Sequence, residues 1–177
     1  MRKLLAVSVL LTIAMWGVAS SPALAGAGRG RYLLELEEAN TALAPNGDTV
    51  AITGEGEFSM FPKSIEAAGT FTHRNAEGIV LATGTWTAVA LLDYQSYGCG
   101  VVFGTPIPAN FCGGKVKMNV LLTPDGTSLQ IPGQLTVLCV IGDHRPRSAA
   151  EGVRLNVPGI VNFNEATGGD NVYIRLS

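Results

Sequence analysis

The segment Ala68–Ala88, AGTFTHRNAEGIVLATGTWTA, indicates a β-hairpin because both of its halves alternate in polarity about a single turn. Asn75 and Gly78 take the first and last positions of NAEG, where a type I turn favours them. A hairpin that pairs Arg74 with Ile79 gathers small and apolar residues on one face and threonines on the other. In this predicted register the further inner-face pairs are His73 with Val80, Phe71 with Ala82, Gly69 with Gly84, and Ala67 with Trp86.

The same period of two continues through most of the chain. In VAITGEGEFSM the apolar residues and glycines share one face, while Glu55 and Glu57 share the other, as in a half-buried strand. RYLLELEEA is also interpreted as a strand, because Tyr32, Leu34 and Leu36 alternate. Turn residues separate eight predicted strands: Tyr32–Glu38, Val50–Met60, Glu66–Arg74, Ile79–Leu92, Val116–Thr123, Leu135–Ile141, Val153–Val157 and Val172–Leu176.

These strands predict an all-β domain in the form of a single antiparallel eight-stranded barrel. The alternative is a two-sheet β-sandwich, which accommodates the same number of strands. The barrel is favoured because the strands Val50–Met60 and Ile79–Leu92 are long and must coil. Glycines on the inferred inner faces allow such strands to bend sharply.

The first residues predict export. A short basic start, an apolar run and the small-residue motif Ala23-Leu24-Ala25 form the pattern of a signal peptide over residues 1–25. Residues 26–30 are then expected to form a mobile N-terminal tail, and residues 31–177 the β-barrel domain. The expected location is secreted or periplasmic, with cleavage after Ala25.

Charge and motifs exclude several classes of function. Removal of Arg2 and Lys3 would leave 10 basic residues against 14 acidic ones, a net charge of −4. No basic stripe remains for nucleic acid, and no second apolar stretch has the length of a membrane span. The sequence contains no metal-ligand spacing, no cofactor fingerprint and no nucleophile motif, so no cofactor and no catalytic residue is predicted.

Three cysteines remain after the predicted leader. Cys99 and Cys112 share the Gly- and Pro-rich segment SYGCGVVFGTPIPANFCGG, and we favour a disulfide between them over either pairing with Cys139. Cys139 lies in an alternating apolar run, where a free thiol behaves as a small buried hydrophobe. The segment Asp93–Gly114 is interpreted as a long loop, either a lid over a barrel mouth or a stapled crossover.

The predicted inner face carries many small residues, which would leave part of the barrel interior unfilled by their own side chains. Either large side chains fill it, or it holds a pocket for a small apolar molecule. His73 is the last inner residue before its turn and is expected at one barrel end, where it is either solvated or orients a ligand. The candidate ligand-binding residues are Trp86, His73, Phe71, Phe58 and Tyr97.

Three functions follow from this interpretation. The first is non-enzymatic binding of a small apolar ligand or a partner surface. The second is a small barrel enzyme of the isomerase or cyclase type that uses His73 or a loop tyrosine. The third is an envelope-associated structural protein with a packed interior.

The segments APNGDTVAITGEGEF, GTFTHRNAEGIVLATGTWTA, SYGCG, GGKVKMNVLLTP and EGVRLNVPGIVNF resemble a family of secreted, β-rich bacterial proteins. The resemblance covers nearly all of the chain after the leader, and it implies no activity and no site residue. The general shape also resembles lipocalin and allene-oxide-cyclase barrels. That likeness is one of fold, which does not determine function.

Overall fold

The computed structural model describes residues 30–177, which form antiparallel β-structure with no helix. This confirms the all-β prediction, while the predicted leader 1–25 and most of the predicted tail lie outside the described residues. The strands are β1 Arg31–Leu43, β2 Thr49–Met60, β3 Lys63–Arg74, β4 Val80–Cys99, β5 Val101–Val102, β6 Thr105–Pro106, β7 Phe111–Pro124, β8 Ile131–Cys139, β9 Gly152–Val157, β10 Val161–Phe163, β11 Glu165–Gly168 and β12 Asn171–Arg175.

The main sheet closes on itself through six strands, in the order β7-β12-β1-β2-β3-β4 and back to β7. Strands β8, β9 and β10 continue outward from β7, and β11 pairs with β1. The predicted count of eight barrel strands is therefore not confirmed. The reason lies in β7, which pairs with β4 along one edge and shares its other edge between β12 and β8.

Each of the eight predicted strands overlaps an observed one with different ends, and the four short strands β5, β6, β10 and β11 were not predicted. The register of the decisive hairpin is wrong by two residues. Phe71 pairs with Gly84 and His73 with Ala82, because the chain bulges between His73 and Arg74 as it enters the turn. Asn75 accepts from the backbone of Ile79 through its side chain, which lengthens the turn. The shift of two residues leaves Phe71, His73 and Ala82 on their predicted inner face. Val80 was predicted to face His73, but beyond the bulge it pairs with Arg74 and is exposed.

Large side chains fill most of the interior. A Cβ at Gly54 would lie 2.5 Å from Cζ2 of Trp86, and one at Gly84 would lie 2.8 Å from Cε1 of Phe71. The indole and phenyl rings therefore occupy the space that these glycines leave. Further along, Phe58 belongs to a cluster of edge-on and stacked aromatic rings that also contains Tyr32, Tyr94 and Tyr173.

The predicted disulfide is present between Cys99 and Cys112, which face each other across β4 and β7. The segment Asp93–Gly114 is consequently a strand hairpin with a short β5–β6 tip, and the interpretation of it as one long loop is wrong. Glycines interrupt the alternation of this segment, as do one bulge of β4 between Ser96 and Gly98 and another just before Asp93. Cys139 is a free, fully buried thiol, and burial raises its pKa to about 12.

Removal of the disulfide should destabilise the protein measurably. Because the bridge closes a loop with a sequence separation of 13, Cys99→Ser with Cys112→Ser should lower the free energy of unfolding by about 2–3 kcal/mol. Urea denaturation of the double variant against the oxidised protein measures this loss. Cys139→Ser serves as the control that leaves the bridge in place, and an unchanged midpoint in the double variant would contradict the prediction.

Candidate functional site

An apolar cleft of about 180 Å³ opens at the end of the sheet where β3 turns into β4. Strands β8, β9 and β10 cross over this end and supply the opposite wall. His73 is the only titratable residue among those that line it. The lining residues are Val50, Phe71, His73, Ala82, Leu122, Pro124, Ile131, Leu155, Val157, Ile160, Val161 and Phe163.

His73 is held in place by a carboxylate and an aromatic ring. Its Nε2 lies 3.0 Å from Oδ2 of Asp48, and its ring meets Phe163 edge-on with centroids 5.2 Å apart. The side chains of His73 and Asp48 are only 19% and 16% exposed. The hydrogen bond from His73 holds the pKa of the Asp48 carboxyl below its usual value.

This pairing determines which nitrogen of His73 remains free. An ionised carboxylate can only accept hydrogen bonds. Nε2 of His73 therefore carries the proton and donates a hydrogen bond to Asp48. On a neutral imidazole Nδ1 is then an acceptor, and the structure gives it no hydrogen-bond partner within residues 30–177. The cleft therefore combines apolar walls with one oriented ring that has a spare acceptor.

The hairpin of β2 and β3 explains how residues 25 positions apart meet. Val50 pairs directly with His73, and Asp48 lies two residues before Val50, at the end of a tight turn. In that turn Ala44 donates its N–H to the carbonyl of Asp48, and Gly47 adopts a φ of 89°. Left-handed backbone of this kind favours glycine, which explains the NGD sequence.

An exposed apolar side chain lies at the mouth of the cleft. Ile160 lines the cleft and remains 64% exposed. Its side chain presents apolar surface to solvent at the entrance.

The structure separates the five candidate ligand-binding residues into two groups. Phe71 and His73 line the cleft. Trp86 and Phe58 are 1% exposed and pack in the core, where Nε1 of Trp86 donates to the carbonyl of Thr53. Tyr97 lies toward the opposite end of β4, also buried, so the sheet does not bring these three to the cleft.

Sequence reasoning missed Asp48 and the wall supplied by β9 and β10. Asp48 lies between two predicted strands, and a register for the β2–β3 hairpin would have placed it beside His73. No pattern in the sequence indicated that Phe163 would face His73, because β9 and β10 reach this end through long-range pairing.

Away from the cleft, the polar side chains of Asn171, Asn40 and Glu151 form a hydrogen-bonded cluster with a structural role. The side-chain amide of Asn171 donates to Asn40 and to the carbonyls of Leu138 and Gly152. Glu151 accepts from the backbone N–H groups of Val140 and Asn171 at 2.7 and 3.0 Å. These bonds join β1, β8, β9 and β12 where the β1–β2 ladder is interrupted.

Glu151 should make stability depend on pH. Burial raises the pKa of its carboxyl from 4.5 to about 7, against the lowering effect of the two backbone donors. The folded protein then holds this proton more tightly than the unfolded chain, so the contribution is full below about pH 4.5 and is lost as pH rises through about 7. We expect the free energy of unfolding to fall by about 1–2 kcal/mol over this window, after allowance for solvent screening.

Urea denaturation of wild type and Glu151→Gln at several pH values across the window isolates this effect. The difference between the two proteins should shrink as pH rises, because glutamine does not titrate. A difference that stays constant with pH would show that Glu151 has an ordinary pKa.

Residues 30–177 contain no group of three or more His, Cys, Asp or Glu side chains placed to hold a metal ion. The same part of the chain includes no helical segment with the length and hydropathy of a membrane span. Comparison of the chain with family models, with curated proteins and with solved structures finds no match. The cleft is therefore interpreted from its own chemistry.

Proposed function

We propose that this protein binds a small apolar molecule with one hydroxyl group in the cleft beside His73. The observation that carries the proposal is the combination of apolar walls with the imidazole of His73, which Asp48 holds through Nε2. Ligand sites typically have this composition, with mostly apolar lining and a few placed polar groups. The hydroxyl would donate to Nδ1 while Asp48 keeps the ring in the required tautomer.

The size of the cleft limits the ligand to one or two rings, or an equally short chain. An apolar cavity of about 150 Å³ holds benzene, and this cleft measures about 180 Å³. The exposed apolar side chain of Ile160, which lines the cleft, supports entry of an apolar molecule from solvent.

The pair of His73 and Asp48 is also the arrangement that a general base uses. A reaction would need a second group to donate a proton or stabilise charge opposite His73. The other residues that line the cleft have apolar side chains, which supports binding over isomerase or cyclase chemistry. The packed interior around Trp86 is as consistent with a structural protein as with a binding protein. A structural role, however, does not explain the presence of the cleft.

We further propose that the protein acts outside the cytoplasm, as the leader-like residues 1–25 indicate. The disulfide between Cys99 and Cys112 supports this location, because such bridges persist in oxidising compartments.

Binding of 2-naphthol and naphthalene to wild type and His73→Phe tests the polar anchor. We expect wild type to bind 2-naphthol about 5–10-fold more tightly than naphthalene, since one hydrogen bond contributes about 1 kcal/mol or slightly more. The phenylalanine variant keeps an aromatic ring at the site and should bind the two probes equally.

Fluorescence titration measures the four affinities. A preference for 2-naphthol that survives in His73→Phe would show that another group receives the hydroxyl. Absence of saturable binding of either probe to wild type would contradict the proposed function itself.

A further inference from the structure

The ring of strands has an opening between β3 and β4. Their pairing ends at Ala68 and Thr87. Beyond this point β3 stays paired with β2 as far as Lys63, and β4 stays paired with β7 as far as Cys99. The segments 63–67 and 88–92 therefore face each other as two strand edges that are not joined by backbone hydrogen bonds.

The side chain of Lys63 spans this opening. If the register of Ala68 with Thr87 continued, Lys63 would lie directly opposite Leu92. Instead, Nζ of Lys63 donates to the carbonyl of Leu92. A lysine side chain replaces direct backbone pairing, so the edges stand farther apart than the ordinary strand spacing of about 4.8 Å. Backbone groups at an unpaired edge form a template for another strand.

The surface at the opening is a groove of about 720 Å³ with small residues at its base and carboxylates beside it. Glu57 of β2 lies directly opposite Glu66 of β3, and Glu55 lines the same groove. Like charges in directly opposed positions destabilise a sheet. Only Glu57 has a cationic partner, Arg31 at 2.9 Å, and that pair is largely exposed. The small residues of the groove are Gly56, Ala67, Ala68, Thr87 and Ala88.

We propose that an extended basic polypeptide segment of another protein adds as a strand between 63–67 and 88–92. Its backbone would bond to the two edges, as in other cases of strand addition. Its side chains would alternate, with Lys or Arg on the outer face beside Glu55, Glu57 and Glu66, and small residues over Ala67 and Ala88. A second copy of this chain does not fit, because it would bring carboxylates against carboxylates. This surface is separate from the His73 cleft and does not depend on the proposed function.

Fluorescence anisotropy with a labelled peptide of alternating lysine and threonine, nine residues long, tests the proposal. We expect saturable one-to-one binding that becomes about tenfold weaker in Glu57→Gln with Glu66→Gln, because two exposed charge pairs are lost. Lys63→Ala should bind the peptide more tightly, since the added strand no longer displaces the Lys63 side chain. Glu37→Gln with Glu38→Gln removes the same charge from β1 and should leave the affinity unchanged.

A peptide of alternating lysine and proline separates strand addition from simple charge attraction. It has the same charge but loses half of its backbone donors, so it should bind at least about tenfold more weakly. Equal binding of the two peptides, an equal loss in the Glu37 and Glu38 variant, or no saturable binding would each overturn the proposal. Self-association of Lys63→Ala in sedimentation experiments would also overturn it, because a second copy would then occupy the opening.

Discussion

Trp86→Ala is expected to lower the free energy of unfolding by about 3–5 kcal/mol, the usual cost of truncating a large core aromatic residue. Trp86 is the largest fully buried side chain in residues 30–177, at 1% exposure. Its ring fills the space over Gly54, and its Nε1 donates to the carbonyl of Thr53 at 2.8 Å. Truncation would leave a cavity between β2 and β4 and remove one buried hydrogen bond.

Urea denaturation monitored by far-ultraviolet circular dichroism measures the effect. Tryptophan fluorescence cannot be used for the variant, because Trp86 is the only tryptophan after residue 25. Trp86→Phe is the matched control, because it keeps most of the ring volume and loses the Nε1 donor. Its cost should be clearly smaller than that of the alanine variant. A loss below about 1 kcal/mol in Trp86→Ala would contradict a packed interior and favour Trp86 as the wall of a larger ligand cavity.

Ala82→Trp is expected to abolish binding of 2-naphthol. Ala82 lines the cleft opposite its strand partner His73, and a cleft of about 180 Å³ cannot hold an indole and a two-ring ligand together. The mouth of the cleft is open to solvent, so the new side chain can enter it with little disturbance of the core. We expect the free energy of unfolding to change by less than about 1.5 kcal/mol.

Thr85→Trp provides the control on the same strand. Thr85 is exposed on the opposite face of β4, away from the cleft, so the same substitution there should leave the affinity for 2-naphthol unchanged. Equal loss of affinity in both variants, or full affinity in Ala82→Trp, would show that the probe binds outside the cleft.

Strand positions and faces could be predicted because alternation is a local property of the chain. Phe71 and Trp86 lie on the inner face and Thr70 and Thr85 on the outer face, as expected. The register could not be obtained in this way, since a shift of two residues preserves every face. The bulge beside Arg74 is set by the geometry of the following turn, and polarity does not encode it.

Only part of the site could be predicted from the sequence. The position of His73 at the end of its strand indicated that it would lie at an end of the sheet, which is where the cleft opens. The inner-face pattern could not distinguish the open end from the packed middle, so Trp86 and Phe58 were grouped with His73. Tyr97 was included because the segment Asp93–Gly114 was interpreted as a loop. The closed ring of six strands depends on how β7 divides one edge between β12 and β8, which is a long-range property.

Nitrogen-15 NMR of the two imidazole rings during titration with 2-naphthol tests whether His73 holds the ligand. His73 and His144 are the only histidines, and His144 is 80% exposed in a loop, so it serves as an internal control. We expect Nε2 of His73 to carry the proton. The Nδ1 resonance of His73 should shift and saturate with the ligand, while His144 does not respond. Saturable binding without a response at His73, or an equal response at both rings, would contradict a ligand site built around His73.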